Sequence, residues 1–74
     1  MPRISNPETL QHYKISDIDD ATATQYFGYI DKNGRWYILR LTDTTVRYCL
    51  GESDYPTNWA NRASLTYDHF HNVF

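Results

Sequence analysis

Several residues in this chain have side chains that could carry chemistry, and each lacks the company that chemistry needs. His69 and His71 stand two apart. On a strand both imidazoles would point to one side and could share a cation, whereas on a helix they would diverge. A zinc site would still have to draw on distant His12, Asp68 or Cys49, and the ligand spacing for that is missing, so no metal is expected. Asp17, Asp19 and Asp20 form an acidic run of the kind hard cations take. Neither the glycine nor the distal glutamate of a calcium loop follows, and solvated carboxylates are expected. Cys49 with a histidine would make a nucleophile and base, but nothing supplies an oxyanion hole. A small, semi-buried side chain in a strand is the simpler expectation. Ser64 lacks the glycine-flanked elbow of hydrolase nucleophiles. The three glycines are isolated, so no loop cradles a phosphate. The chain is expected to be no enzyme and to hold no cofactor.

The elements that would position these residues centre on the stretch 26–51, YFGYIDKNGRWYILRLTDTTVRYCLG. Residues 26–30, 35–41 and 45–50 are rich in aromatic and β-branched side chains and predict three strands. Asp31-Lys32-Asn33-Gly34 is a hairpin turn, because Asn-Gly tolerates the positive φ such turns need. Thr42-Asp43-Thr44 is a second polar turn. Alternation puts Trp36, Ile38 and Arg40 on one face and Tyr37, Leu39 and Leu41 on the other. Only the third strand has a polar side, Thr45, Arg47 and Cys49 opposing Val46, Tyr48 and Leu50. A sheet with one wet face usually alternates cleanly. A central strand apolar on both sides therefore demands cover over both faces.

Material for that cover is scarce. With 74 residues the chain makes one small domain, marginal on its own. Much of its apolar area comes from seven Tyr and two Trp, rings favoured where one end is dry and the other wet. A net charge of −2 and a pI near 5.8 argue against nonspecific nucleic-acid binding. One cysteine excludes an internal disulfide. Small β domains without staples are commonly stabilised by oligomerisation.

Residues 1–25 show no signal-peptide pattern, and the chain has no apolar run long enough to span a membrane. Asn6 with Pro7 could open a short helix reaching Tyr13, but the apolar stripe is thin and an extended arm is preferred, with Tyr13, Ile15, Ile18 and the acidic run 17–20 reading as an irregular strand that enters a polar loop. Its apolar residues Ile4, Leu10, Tyr13 and Ile15 are expected to reach a neighbouring subunit. Trp36 and Leu39, on opposite faces, are expected to be buried in an assembly. After Gly51, Thr57 or Asn58 can cap a helical turn through Arg62, and a second can begin at Thr66. This tail would pack on one sheet face through Trp59 and Phe70. The predicted architecture is thus mainly β: a three-stranded antiparallel meander with short C-terminal helical turns in residues 26–74, and an extended N-terminal arm over 1–25.

The runs GYIDKNGRWYILRL, VRYCLG and TNWANRASLTYDHF resemble a pattern in small proteins of tailed bacteriophages and prophages. There, a G-Y-x-D-x-x-G-x-W-Y-I hairpin precedes R-Y and a Trp/Asn-Arg-x-S-L-x-Y ending. The matching positions are Gly28, Tyr29, Asp31, Gly34, Trp36, Tyr37, Ile38, Arg47, Tyr48, Trp59, Asn61, Arg62, Ser64, Leu65 and Tyr67. The resemblance covers roughly residues 25–70 and carries no catalytic residues to transfer. It implies a virion protein assembled in the host cytoplasm, a capsid, neck, tail or fibre subunit. Its partners would be other virion proteins or copies of itself, with no specific nucleic acid and no membrane. Two other readings are compatible with the composition: a small carbohydrate-binding module using exposed Trp36, Trp59 and tyrosines, and an inhibitor of a host protein.

Overall fold

The structure, a computed structural model, describes residues 12–74. Four antiparallel strands pair in chain order: β1 (Lys14–Asp19), β2 (Thr24–Ile30), β3 (Trp36–Thr42) and β4 (Thr45–Gly51). The sheet is therefore one strand larger than the three-stranded meander predicted, and the extra strand comes from the stretch assigned to an arm. In the sequence β1 reads only as an irregular strand, because its apolar residues Ile15 and Ile18 are three apart and a regular strand would point them to opposite faces. A register shift between Ile15 and Asp17 leaves Ser16 as an extra, bulged residue and resets the alternation. Ile15 and Ile18 then share one face, and Asp17 and Asp19 the other.

The pairing aligns side chains in rows across the sheet. On the front face one row is Asp19, Tyr26, Arg40 and Arg47, and the next is Asp17, Gly28, Ile38 and Cys49. On the back face the rows are Ile15, Tyr29, Tyr37, Leu50 and Ile18, Phe27, Leu39, Tyr48.

Both hairpins turn as polar loops, with one adjustment to the first. Gly34 has φ 88° while Asn33 stays out of the left-handed region. The Gly34 N–H donates to the Asp31 carbonyl at 3.1 Å, and the Asp31 N–H to the Arg35 carbonyl at 2.8 Å. A tight turn followed by a left-handed glycine is a three-residue loop with a bulge, which needs positive φ only at Gly34. In the second turn Asp43 takes φ 42°, a conformation aspartate tolerates.

Beyond Gly51 come α1 (Tyr55–Ala60), a 3-10 turn (Arg62–Ser64) and α2 (Phe70–Val73). Helix α1 starts before the Thr57 or Asn58 cap that the sequence predicts. Asp54 enters at φ 60°, and Pro56 sits in the first turn, where its missing N–H costs nothing. The Trp36 indole N–H donates to the Ser53 carbonyl at 2.7 Å and fixes where the chain turns back over the front face. There Trp36, Ile38 and Tyr55 form the core, with Trp59, Leu65 and Tyr67 packed around them.

The tail does not stay on one face. At Asp68 it pairs with the outer edge of β4, exchanging hydrogen bonds of 2.8 and 2.9 Å with Tyr48. It then passes to the back, where the Phe74 ring meets Tyr37 at 5.2 Å and Tyr48 at 5.8 Å. Phe74, 3% exposed, is the anchor there, and Phe70, expected in that role, is 45% exposed.

Two glycine substitutions check this packing. A Cβ on Gly28 would collide with the Tyr55 hydroxyl, so Gly28→Ala is expected to cost about 1–3 kcal/mol in urea melts. Gly34→Val forces a β-branched residue to positive φ and is expected to cost about 1–3 kcal/mol. A Gly28→Ala chain melting with the parent would show that Tyr55 does not seat over that glycine.

Candidate functional site

The polar residues with chemical potential are occupied in holding the fold. Asp31 lies in the first hairpin with its side chain 2% exposed. One carboxylate oxygen accepts the backbone N–H groups of Asn33 and Arg35 at 2.9 Å each, and the other accepts Arg35 Nε at 2.9 Å. Burial pushes this carboxyl up, but those backbone donors and the Arg35 guanidinium outweigh it and hold the pKa below the ordinary aspartate value.

Asp17 accepts the Tyr55 hydroxyl at 2.8 Å, and Asp19 pairs with Arg62 at 2.8 Å. Both carboxylates thus tie β1 to the tail, in place of the solvated state the sequence suggests. Burial, followed by the bond to Asp17, raises the Tyr55 pKa. Asp68 accepts the His69 N–H at 2.7 Å, and the His69 and His71 ring centroids lie 5.8 Å apart. Among the described residues no cluster of three His, Cys, Asp or Glu side chains could hold a metal ion. Burial pushes the Cys49 thiol up, which keeps it in the unreactive protonated form at neutral pH. A groove of about 330 Å³ runs beside it along β4, lined by Leu50, Thr66, Asn72 and Val73 among others. Glu52 also lines the groove, and no histidine does.

The distinctive surface is the back face. Tyr13, Tyr29, Tyr37 and Tyr48 gather at one end, with Tyr29 stacked on Tyr37 at 4.6 Å and Tyr13 edge-on to it at 5.1 Å. Burial, then the neighbouring tyrosines, pushes the Tyr37 pKa up to about 12. Phe74 closes over this cluster. Toward the other end Phe27, Leu39 and Leu41 are half-buried, and Ile18 and Val46 are 57% and 37% exposed. Among the described residues the exposed large apolar side chains are Ile15, Ile18, Val46 and Phe70, and all belong to this face.

The sheet's edges are less available. The outer edge of β4 is met by Asp68, and β1 carries a bulge and alternating carboxylates, both features that discourage strand addition.

Of the residues expected to meet partners, Ile4 and Leu10 lie outside the described residues. Tyr13 is 7% exposed, buried in its own aromatic cluster, and Ile15 is 50% exposed beside it. Trp36 is 3% exposed on the front, under its own tail, while Leu39 is half-buried at the centre of the back face. The structure thus brings Tyr13, Ile15 and Leu39 to one face and sets Trp36 on the other. Ile18 and Val46 were not singled out, and their shared face becomes visible only once the Ser16 bulge fixes the register. Comparison of the chain with protein-family models, with curated proteins and with solved structures finds no match.

The Asp31 turn gives a pH test. Its lowered folded pKa contributes stability that is present above the unfolded value and is lost as pH falls through the folded one. Asp31→Ala strands two backbone donors, so at pH 7 it is expected to cost about 1–3 kcal/mol. As pH falls from about 4, where the unfolded aspartate protonates, through the lower folded value, the two chains' stabilities should converge. A gap that stays constant in denaturant melts from pH 7 to pH 2.5 would contradict the assignment.

Proposed function

We propose that this protein is a structural or interaction subunit of a bacteriophage particle, in the capsid, neck, tail or a fibre, and not an enzyme. It completes its core against neighbouring subunits through the back face of the sheet. The observation that carries this reading is the confinement of Ile15, Ile18, Val46 and Phe70, large apolar side chains left exposed, to that face. Contiguous exposed apolar surface of this kind characterises interaction sites. The phage setting rests on the sequence resemblance, which adds no activity. Partners are other virion proteins or copies of itself, with no specific nucleic acid and no membrane, and the protein resides in the virion.

The carbohydrate-binding alternative is weakened by the placement of its rings. Trp36 lies beneath the tail, and the Arg62 guanidinium covers Trp59 with its carbon 4.6 Å from the ring. An inhibitor of a host protein would use the same back face and differ only in its partner.

Presence and copy number in purified virions test the setting, and solution mass tests the face. Ile18→Lys with Val46→Lys is expected to abolish association or particle incorporation. Stability of the isolated chain should change by no more than about 0.5 kcal/mol per site, as for surface positions. A protein absent from virions and monomeric at every concentration would sink the reading.

A further inference from the structure

The chain's two lysines, Lys14 and Lys32, line one groove of about 490 Å³ at the first-hairpin end of the sheet. A second groove of about 310 Å³ adjoins it, sharing His12, Asp31 and Lys32 and adding Arg35. Lys14 pairs with Ile30, and Ile30 with Trp36, so these residues lie on the front of the sheet, opposite the apolar patch. His12, Lys14, Lys32 and Arg35 are all exposed. Among the described residues neither lysine has an ion pair.

The groove's own carboxylate does not offset these charges. Asp31 is the one acidic residue among the described lining, its side chain is 2% exposed, and both oxygens already accept hydrogen bonds from the turn and from Arg35. Glu52, at the same end of the sheet, lines the separate groove beside β4. Three cations thus face one occupied carboxylate, in a chain whose net charge is −2. A cleft lined by one sign of charge focuses the field and draws the opposite charge.

We propose that this groove docks an extended acidic peptide segment of a partner protein, at a second contact surface independent of the back face. In an extended chain residues two apart point the same way, about 6.6–6.8 Å from one another. Alternate carboxylates can therefore meet Lys14 and Lys32, whose flexible four-carbon stems adjust to the spacing. Ile30 and the lysine stems give the groove an apolar floor for the peptide's backbone and methylene groups. A lone phosphate has no apolar body to lie there, and nucleic acid would meet the chain's net negative charge beyond the groove.

The test titrates two end-blocked peptides into the isotope-labelled full chain at low salt, Asp-Val-Asp-Val-Asp and its neutral counterpart Asn-Val-Asn-Val-Asn. Saturable NMR shifts of the Lys14, Ile30 and Lys32 amides are expected with the acidic peptide and none with the neutral one. Raising ionic strength from about 0.02 M to about 0.3 M should weaken binding several-fold, because exposed charges are screened. Lys14→Gln with Lys32→Gln, both at exposed positions, is expected to fold and to weaken binding about tenfold, as for two exposed ion pairs. Ile18→Lys with Val46→Lys should leave peptide binding unchanged, which separates this groove from the back face. Inorganic phosphate and a single-stranded oligonucleotide are added as competitors, and neither is expected to displace the peptide at equal concentration. Displacement by either, an equal response to both peptides, or unchanged affinity in the double lysine variant would overturn the proposal.

Discussion

The hydrogen bond from the Trp36 indole to the Ser53 carbonyl sets the course of everything after the sheet. It ties the first residue of the central strand to the loop leaving the last strand, and so directs α1 onto the front face. A buried tryptophan must satisfy its N–H. Ser53 provides the acceptor through its backbone, so the side chain at that position could vary without loss of the contact. With α1 seated, the Tyr55 hydroxyl reaches across side-chain-free Gly28 to Asp17, and Arg62 reaches Asp19. The front face is closed by rings at its centre and by two polar ties to the far strand.

Those ties depend on the bulge at Ser16. Without it Asp17 would point to the back, its carboxylate set against apolar side chains, and Ile15 and Ile18 could not both face the same way. One extra residue thus places both carboxylates beside their donors and both isoleucines on the apolar face. The same bulge kinks the edge strand, which makes β1 a poor template for another chain's strand. A local irregularity therefore sets both the internal closure of the front face and the way the molecule can be approached.

The sheet's centre was legible in the sequence because its signals are local. Residues 26–51 carry dense β-forming composition and two polar turns, and the strands of β2 to β4, with the faces that the pleat assigns their residues, follow from these alone. β1 showed in the sequence only as an irregular strand within the arm, because the bulge breaks its period; its place as a fourth strand of the sheet comes from pairing with β2, which no local pattern specifies. The route of the tail was also hidden. Spacing could suggest helical turns near Trp59 and Phe70, but the crossing at Asp68 is a backbone exchange with Tyr48 that no side-chain pattern encodes. The demand for cover on both faces was visible in Trp36 and Leu39; that one tail would serve the front wholly and the back in part was not.

The two faces end in different states for a physical reason. The front has small residues, Gly28 and Cys49, beneath the tail, so helix α1 approaches closely and excludes water from Ile38. The back presents Tyr29, Tyr37 and Tyr48, rings that already stack on one another and need only Phe74 and Tyr13 to complete a cluster at one end. Past that cluster the row from Ile18 through Phe27 to Leu39 lies partly open among the described residues. Burial of apolar area stabilises by about 25 cal/mol per Å², which favours any surface able to lie flat on that row. Strand addition at either edge is disfavoured by Asp68 on one side and the bulge on the other. Among the described residues, large apolar side chains remain exposed on the back face, while both sheet edges are obstructed.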